Sequence, residues 1–252
     1  SMFEPGAGLL TRGGLRQYGV LIALILLCLV FSAIAPDAFA TRANLINLLQ
    51  QITTLAIIAT GATFVMVIGE FDLSFGFTAS LAGVMAFYLF GNGFPVPIAM
   101  VIALFAGALA GLANGLFVAR FEVPSFVATL AVGTILSGCA YWLSGGASMF
   151  SGVPESFKSL ARGDFFGFPV LSLWMVAVLS VSAVIMSTTP FGRRLQALGA
   201  NPVAAHLAGL PVFRDRVTVF IIGGILSALA GLLLSARLGS VQHTMGEGLL
   251  LP

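Results

Sequence analysis

Seven long stretches of this sequence contain no charged residue, and they constrain the fold more than any other feature. A helix needs about 20 predominantly apolar residues to cross the roughly 30 Å of bilayer hydrocarbon. The uncharged stretches fall at residues 18–35, 46–68, 74–90, 96–119, 123–144, 169–188 and 217–235. Their lengths predict an all-α, polytopic bundle with about seven membrane-spanning helices.

The composition excludes an ordinary soluble domain. Hydrophobic residues make up 59% of the 252 residues and charged residues only 8%, whereas a soluble domain carries about 25% charged residues. A chain of this kind cannot cover itself with polar side chains, so we expect a lipid bilayer to surround it. The net charge of +2 gives no indication of a nucleic-acid partner.

The start of the sequence admits two interpretations. Arg12 and Arg16, an apolar core and the triplet at 38–40 (AFA) together imitate a cleaved signal peptide. However, the apolar run exceeds the roughly 7–15 residues of a signal core, and further spans follow it. This length favours a retained first helix.

The basic residues predict which side of the membrane each loop faces, because cytoplasmic loops are enriched in Lys and Arg. With the N-terminus in the cytoplasm, loop 189–216 lies inside and loop 145–168 lies outside. The inner set comprises Arg12, Arg16, Arg120, Arg193, Arg194, Arg214 and Arg216. The outer basic residues Arg42, Lys158, Arg162 and Arg237 are offset by Asp37, Glu155, Asp164 and Glu247.

Glycines at positions 107, 111 and 115 form a stripe along one helix face. Small residues at four-residue spacing let another backbone approach closely. The stripe is typical of static packing, and a moving interface is the alternative interpretation.

The sequence contains no pattern of an enzyme or metal site. Cys28 and Cys139 both lie inside apolar runs, so we expect neither a disulfide between them nor a Cys/His zinc site. The only lysine, Lys158, follows no glycine-rich phosphate loop, and the two histidines accompany no hydrolase motif. We therefore expect no catalytic residue, no bound metal and no nucleotide site of the chain's own.

A short helix is predicted within the inner loop, in the stretch LGANPVAAHLAGLP. Asn201 can cap it, Pro202 suits its first turn, and Gly209 followed by Pro211 suits its end. Two helical turns are unstable alone in water, so this helix must pack against something. Val203 and Leu207 give it one apolar edge, and Ala204 and Ala205 permit close approach of a partner. The residues alone leave open whether that partner is another protein or the chain's own bundle.

Five segments resemble the membrane-spanning permeases of ATP-binding-cassette sugar importers, in the ribose, xylose and galactose branch. They are GEFDLSFG at 69–76, Asn114-Gly115, VPSFVATL at 123–130, TPFGRRLQALGANPVAAHLAGL at 189–210, and ARLGS at 236–240. The resemblance implies that loop 189–216 of a single permease domain over residues 1–252 holds a coupling helix, which docks into a separate ATPase. The resemblance implies coupling roles for Gly199, Asn201, Ala204, Ala205 and Gly209. Pro202 and Leu207 of the short helix complete the predicted coupling set.

The same resemblance implies the partners and the location. These are ATPase subunits that bind ATP and magnesium, an extracytoplasmic sugar-binding protein, and a second permease subunit, as in a homodimer. The implied location is the bacterial inner or cytoplasmic membrane. The resemblance leaves open which sugar is carried. Two departures stand out. Many members have a small residue where Glu70 lies, and further helices normally follow GEGLLLP, so three spans of a ten-helix design are expected to be missing.

Two carboxylates, Glu70 and Asp72, lie between the second and third apolar runs. A charged side chain at the bilayer centre costs about 2.5–3.5 kcal/mol, so both are expected at a break that faces water or a polar cavity. We interpret the break as a turn at the pathway wall, with Asp72 and Ser74 as caps of the next helix. Contact with sugar hydroxyls, a proton relay and a metal pair are the alternatives, and Asn114 is a further pathway candidate.

Two rival functions stay open from the residues. A proton-coupled secondary transporter would use Glu70 or Asp72 as its protonated group. An intramembrane enzyme is disfavoured because the sequence offers no nucleophile and base.

Overall fold

The computed structural model describes residues 12–165 and 167–249, and most of the described chain is helical. Each of the seven apolar runs forms a helix. These are α1 (Arg12–Ile34), α3 (Arg42–Val67), α4 (Phe75–Gly91), α5 (Val96–Arg120), α6 (Ser125–Ser144), α8 (Val170–Thr188) and α11 (Val212–Leu238). The predicted all-α polytopic fold is confirmed.

The connections contain shorter elements. These are α2 (Pro36–Phe39), α7 (Glu155–Arg162), the strands β1 (Asp164–Phe165) and β2 (Phe168–Pro169), α9 (Pro190–Ala200), α10 (Pro202–Leu207) and a 3-10 turn (Glu247–Leu249). The two strands pair antiparallel as a small hairpin.

Five of the described helices, α3, α5, α6, α8 and α11, are long and apolar enough to cross a membrane. The apolar part of α1 and the whole of α4 are shorter, at 17 residues or fewer. A shorter α4 agrees with the sequence, where run 74–90 is brief and the chain breaks just before it.

The chain divides into two compact units after Leu48, which lies within α3. In the first unit, the rings of Phe31 and Phe39 pack with centroids 5.6 Å apart. Thr41 accepts the backbone N–H of Asn44 at 3.2 Å and thereby closes the first turn of α3. The prediction of one transmembrane domain over residues 1–252 stays a prediction.

Helix α11 lies at the centre of the second unit, where it packs most extensively on α5 and α4. The glycine stripe of α5 explains this closeness. A Cβ at Gly111 would overlap the Phe220 carbonyl of α11, and one at Gly115 would lie 2.9 Å from the Cα of Val217. The interface predicted from the glycine spacing is therefore confirmed as a close backbone-to-backbone packing of α5 on α11.

The predicted outer loop is more ordered than a simple connection, because it folds into α7. Phe157 of α7 is buried, and its ring meets those of Phe87 and Phe90 on α4 at 6.1 and 4.9 Å. Arg162 donates to the carbonyl of Arg237 at 2.8 Å, which ties α7 to the last turn of α11.

Candidate functional site

The chain breaks between α3 and α4, where residues 68–74 leave helical geometry. Gly69 has φ +80°, a left-handed conformation that glycine adopts without strain, and it ends α3. Two hydroxyl groups of α6 then accept hydrogen bonds from backbone N–H groups of the break that have no helical partner. The N–H of Phe71 donates to Ser125 Oγ and that of Leu73 to Thr129 Oγ1, each at 3.1 Å.

These bonds supply the partners that an interrupted helix requires in lipid, where water cannot satisfy free backbone groups. Ser125 and Thr129 lie four residues apart and so share one face of α6. Sequence reasoning missed this role, although both residues belong to the VPSFVATL segment that carries the family resemblance.

Three predicted pathway residues, Asp72, Ser74 and Asn114, meet in one buried cluster at the start of α4. Asp72 Oδ1 accepts the backbone N–H of Ser74 at 2.7 Å and its hydroxyl at 2.6 Å. The Asn114 amide, on α5, donates to Ser74 Oγ at 2.7 Å and reaches Asp72 Oδ2 at 3.4 Å.

The cluster closes the turn that leads into α4. Asp72 accepts the N–H of Ser74, the residue that precedes α4, but neither Asp72 nor Ser74 forms a side-chain cap of the helix. The prediction that Asp72 and Ser74 cap α4 is therefore wrong, because Asp72 bonds to the residue before the helix and the Ser74 hydroxyl donates to Asp72. Among the described residues, Asn114 Oδ1 has no hydrogen-bond partner.

Glu70 does not join this cluster, although it is only two residues from Asp72. Its Oε1 lies 3.7 Å from a guanidinium nitrogen of Arg216, near the start of α11. Both side chains are largely buried. The two carboxylates therefore face different helices, and in the described part of the chain no three Asp, Glu, His or Cys side chains gather as metal ligands would.

The short helix predicted in the inner loop is present as α10. Asn201 Oδ1 accepts the N–H of Ala204 at 3.0 Å, and Pro202 occupies the first turn. Gly209, with φ +75°, lets the chain leave the helix. The capping and stop residues are confirmed as local structure.

The two faces of α10 differ sharply in exposure. Val203 and Leu207 are 69% and 82% exposed, whereas Ala205 is only 4% exposed. Of the seven predicted coupling residues, six stay open to a partner: Gly199, Asn201, Pro202, Ala204, Leu207 and Gly209. Ala205 instead packs inside the chain's own core.

Gly199 also makes a contact within the chain. A Cβ at this position would overlap the carbonyl oxygen of Val67, the last residue of α3. The end of α9 therefore rests on the end of α3, just before the break at residues 68–74.

An ion pair joins the helices on either side of α10. Arg194 of α9 donates to both carboxylate oxygens of Asp215 of α11, at 2.8 and 2.9 Å. Asp215 is buried, and this hydrogen bond raises the pKa of Arg194 above its ordinary value. Bidentate pairs fix orientation as well as distance, so the pair holds α9 firmly on α11. The sequence identified Arg194 only as an inner-side charge and did not predict its partner.

Comparisons with known proteins identify the family of this chain. Residues 44–252 match the family described as the permease component of the branched-chain amino acid transport system. The ribose import permease protein of Haemophilus influenzae is 38% identical over 228 residues, 89% of this chain and 70% of the relative. No solved structure matches.

Two further relatives have the same kind of name. The ribose import permease protein of Bacillus subtilis is 34% identical, covering 93% of this chain and 73% of the relative. The L-arabinose permease protein of Azospirillum brasilense, named as part of an ATP-binding-cassette transporter, is 34% identical over 93% and 70%. The resemblance inferred from the sequence segments is confirmed, and the chain belongs to this family of membrane-spanning permease components.

Proposed function

We propose that the chain is the permease subunit of an ATP-driven importer that moves a monosaccharide or similar small polar solute inward. Separate ATPase subunits hydrolyse ATP, an extracytoplasmic binding protein delivers the sugar, and a second copy of the permease completes the path. The names of the ribose and arabinose relatives support the substrate class. The N-terminus and loop 189–216 lie in the cytoplasm of a cell whose inner or cytoplasmic membrane holds the protein.

The exposed apolar edge of α10 carries this proposal. Val203 and Leu207 are four residues apart on one side of a six-residue helix, and both are more than two-thirds exposed. Burying side chains of this size stabilises a contact by about 1.5–3 kcal/mol each. An edge that lies in water gains this free energy only when a partner covers it, and a cleft of the ATPase is the partner that we assign.

The contacts around α10 connect it to the membrane helices, so movement of the ATPase can be transmitted through them. Ala205 anchors the helix in the core, and Arg194 joins α9 to Asp215 of α11. Gly199 rests on the last carbonyl of α3. Movement of α10 would therefore reach α11 and the end of α3, and from there the break whose residues Asp72 and Ser74 stand at the proposed pathway wall.

The test changes the exposed edge and leaves the anchor intact. Leu207→Ser removes most of the apolar contact, so we expect the ATPase to bind about 10–100-fold more weakly, matching the lost burial. Leu173→Ser is the matched control, because Leu173 is an exposed leucine on α8, outside the inner loop. Ala205 is unsuitable for testing ATPase docking, because a charged residue such as aspartate at this buried position would disturb the subunit's own packing.

Two measurements are needed. Co-purification of the ATPase should fall for Leu207→Ser and persist for Leu173→Ser, with both variants expressed and inserted normally. ATP-driven uptake of D-ribose or L-arabinose into vesicles should likewise fall for Leu207→Ser and persist for Leu173→Ser. Undiminished co-purification and uptake would mean that α10 docks nothing. Uptake that needs no ATP and is abolished by a protonophore would favour the proton-coupled alternative.

A further inference from the structure

The chain turns back into the bundle after α11. Gly239, with φ +68°, ends the helix, and residues 239–249 then form what we call the return segment. A Cβ at Gly83, midway along α4, would lie 3.0 Å from Val241 and 3.2 Å from Met245 of this segment. Further along, the N–H of Gly246 donates to Ser80 Oγ at 2.8 Å.

The return segment reaches a considerable depth. A Cβ at Gly246 would overlap the carbonyl of Gly76, so the segment passes from the level of Gly83 to that of Gly76 on α4. Seven residues of helix correspond to about 10 Å. Non-helical backbone at membrane depth is tolerated only inside protein or beside a water-filled cavity. Val241 and Gly246 are buried, so the return segment runs inside the protein at this depth.

A pocket of about 410 Å³ lies beside the start of the return segment, within the roughly 300–1,000 Å³ typical of small-molecule sites. Its walls include Ser148 and Phe150 on one side and Ser240 and Gln242 on the other. The two sides are fastened together. Met149 and Val241 exchange backbone hydrogen bonds at 2.9 Å, and Gln242 donates to Ser148 Oγ at 2.7 Å.

The chemistry of these walls fits a neutral sugar. Every lining side chain is uncharged, which disfavours an ionic ligand. The Oε1 of Gln242 and the hydroxyl of Ser240 make no hydrogen bond to the described residues, so they are available to sugar hydroxyls. Phe150 is 74% exposed and offers an aromatic face to the apolar C–H surface of a sugar ring.

We propose that this pocket, formed by Ser148, Phe150, Ser240 and Gln242, is a subsite where a neutral monosaccharide binds before it enters the translocation path. The proposal rests on the proposed function, which makes this the side of delivery. Helix α11 has 27 residues and is about 40 Å long, and the pocket and α10 lie at its opposite ends.

The test measures sugar binding directly and requires no transport. Cys28 and Cys139, both free and exposed, are first replaced by serine. Ser240→Cys is then labelled with an impermeant maleimide in subunits held in nanodiscs. We expect D-ribose and L-arabinose to slow this labelling and D-ribose 5-phosphate to leave it unchanged. Ser159→Cys, an exposed position on α7, is the matched control and should react at one rate throughout.

A second pair of variants tests the aromatic face. In the Ser240→Cys background, Phe150→Ala should raise the half-protecting sugar concentration about fivefold, for a loss of roughly 40 Å² of apolar contact. Phe168→Ala, at a phenylalanine of the same loop that is 63% exposed, should leave this concentration unchanged.

Labelling that is indifferent to sugar at Ser240→Cys, or slowed equally at Ser159→Cys, would overturn the subsite. Equal protection by the phosphorylated sugar would also overturn it, because the pocket would then not select neutral ligands. The proposed function is judged separately by ATPase co-purification and ATP-driven uptake. Intact ATP-driven uptake without protection would sink the subsite alone, whereas protection without ATP-driven uptake would sink the proposed function alone.

Discussion

Replacement of Asp72 gives a direct test of whether the cluster at the break is structural. Asp72→Ala removes the acceptor that holds the N–H and the hydroxyl of Ser74. Each of these buried donors, left without an acceptor, costs about 1–3 kcal/mol. Because the two costs overlap, we expect a total loss of about 2–4 kcal/mol.

Asp72→Asn should cost far less, under about 1 kcal/mol. One oxygen remains to accept the bonds from Ser74, and the new amide nitrogen replaces Oδ2. Asn114 can rotate its amide so that Oδ1, which has no partner at present, accepts from that nitrogen. The cluster then keeps both bonds from Ser74 to residue 72 without any charge and gives up the bond from Asn114 to Ser74 Oγ.

The assay is thermal unfolding of the purified subunit together with transport by the assembled complex. At roughly 2–4 °C per kcal/mol for a chain of this size, Asp72→Ala should lower the unfolding midpoint by roughly 4–16 °C. Asp72→Asn should stay near the parent in both stability and uptake. A stable, assembled Asp72→Asn subunit without transport would refute the structural interpretation, and it would support a role for the charge itself.

Three further predictions test the packing and the topology. Gly111→Ala should destabilise the subunit by about 1–3 kcal/mol, because its Cβ meets the backbone of α11, whereas Gly138→Ala faces open space and should be neutral or stabilising in the same unfolding assay. Cysteines at Ala200 and Gly152 should react with an impermeant thiol reagent from opposite sides, with Ala200 inside; labelling from one side would refute the assigned orientation. Arg194→Lys should keep expression but lower ATP-driven uptake, because lysine cannot form the bidentate pair with Asp215 of α11. Unchanged uptake would show that the pair does not transmit movement.

The sequence predicted the helices well because hydrophobic length is a local property. All seven apolar runs became helices, and the end signals around α10 worked, since Asn201 and Gly209 act on their immediate neighbours. The glycine stripe of α5 also predicted close packing. Its partner, α11, lies about 100 residues away and has small residues of its own at Gly224 and Ala228, which meet Gly107, but spacing along the chain does not say which helices pair.

The sequence could not assign partners across helices. Glu70 and Asp72 look like a pair by their spacing, yet the backbone of the break is irregular and directs them to different helices, so one meets Arg216 and the other Asn114. Ala205 looked suited to a partner protein because it is small. The same smallness lets it pack into its own core, and the larger residues of α10 are the ones left outside.

Several independent contacts converge on the break at residues 68–74. Hydroxyl groups of α6 hold its backbone, Asn114 of α5 holds its cluster, and Arg216 of α11 holds Glu70. Gly199 of α9 contacts Val67, the residue that precedes the break. A segment with its own helical hydrogen bonds would resist movement, whereas this segment depends on four neighbouring helices for its position. A displacement that begins at α10 would therefore change the break more readily than any intact span, which makes it the element best placed to open and close a path.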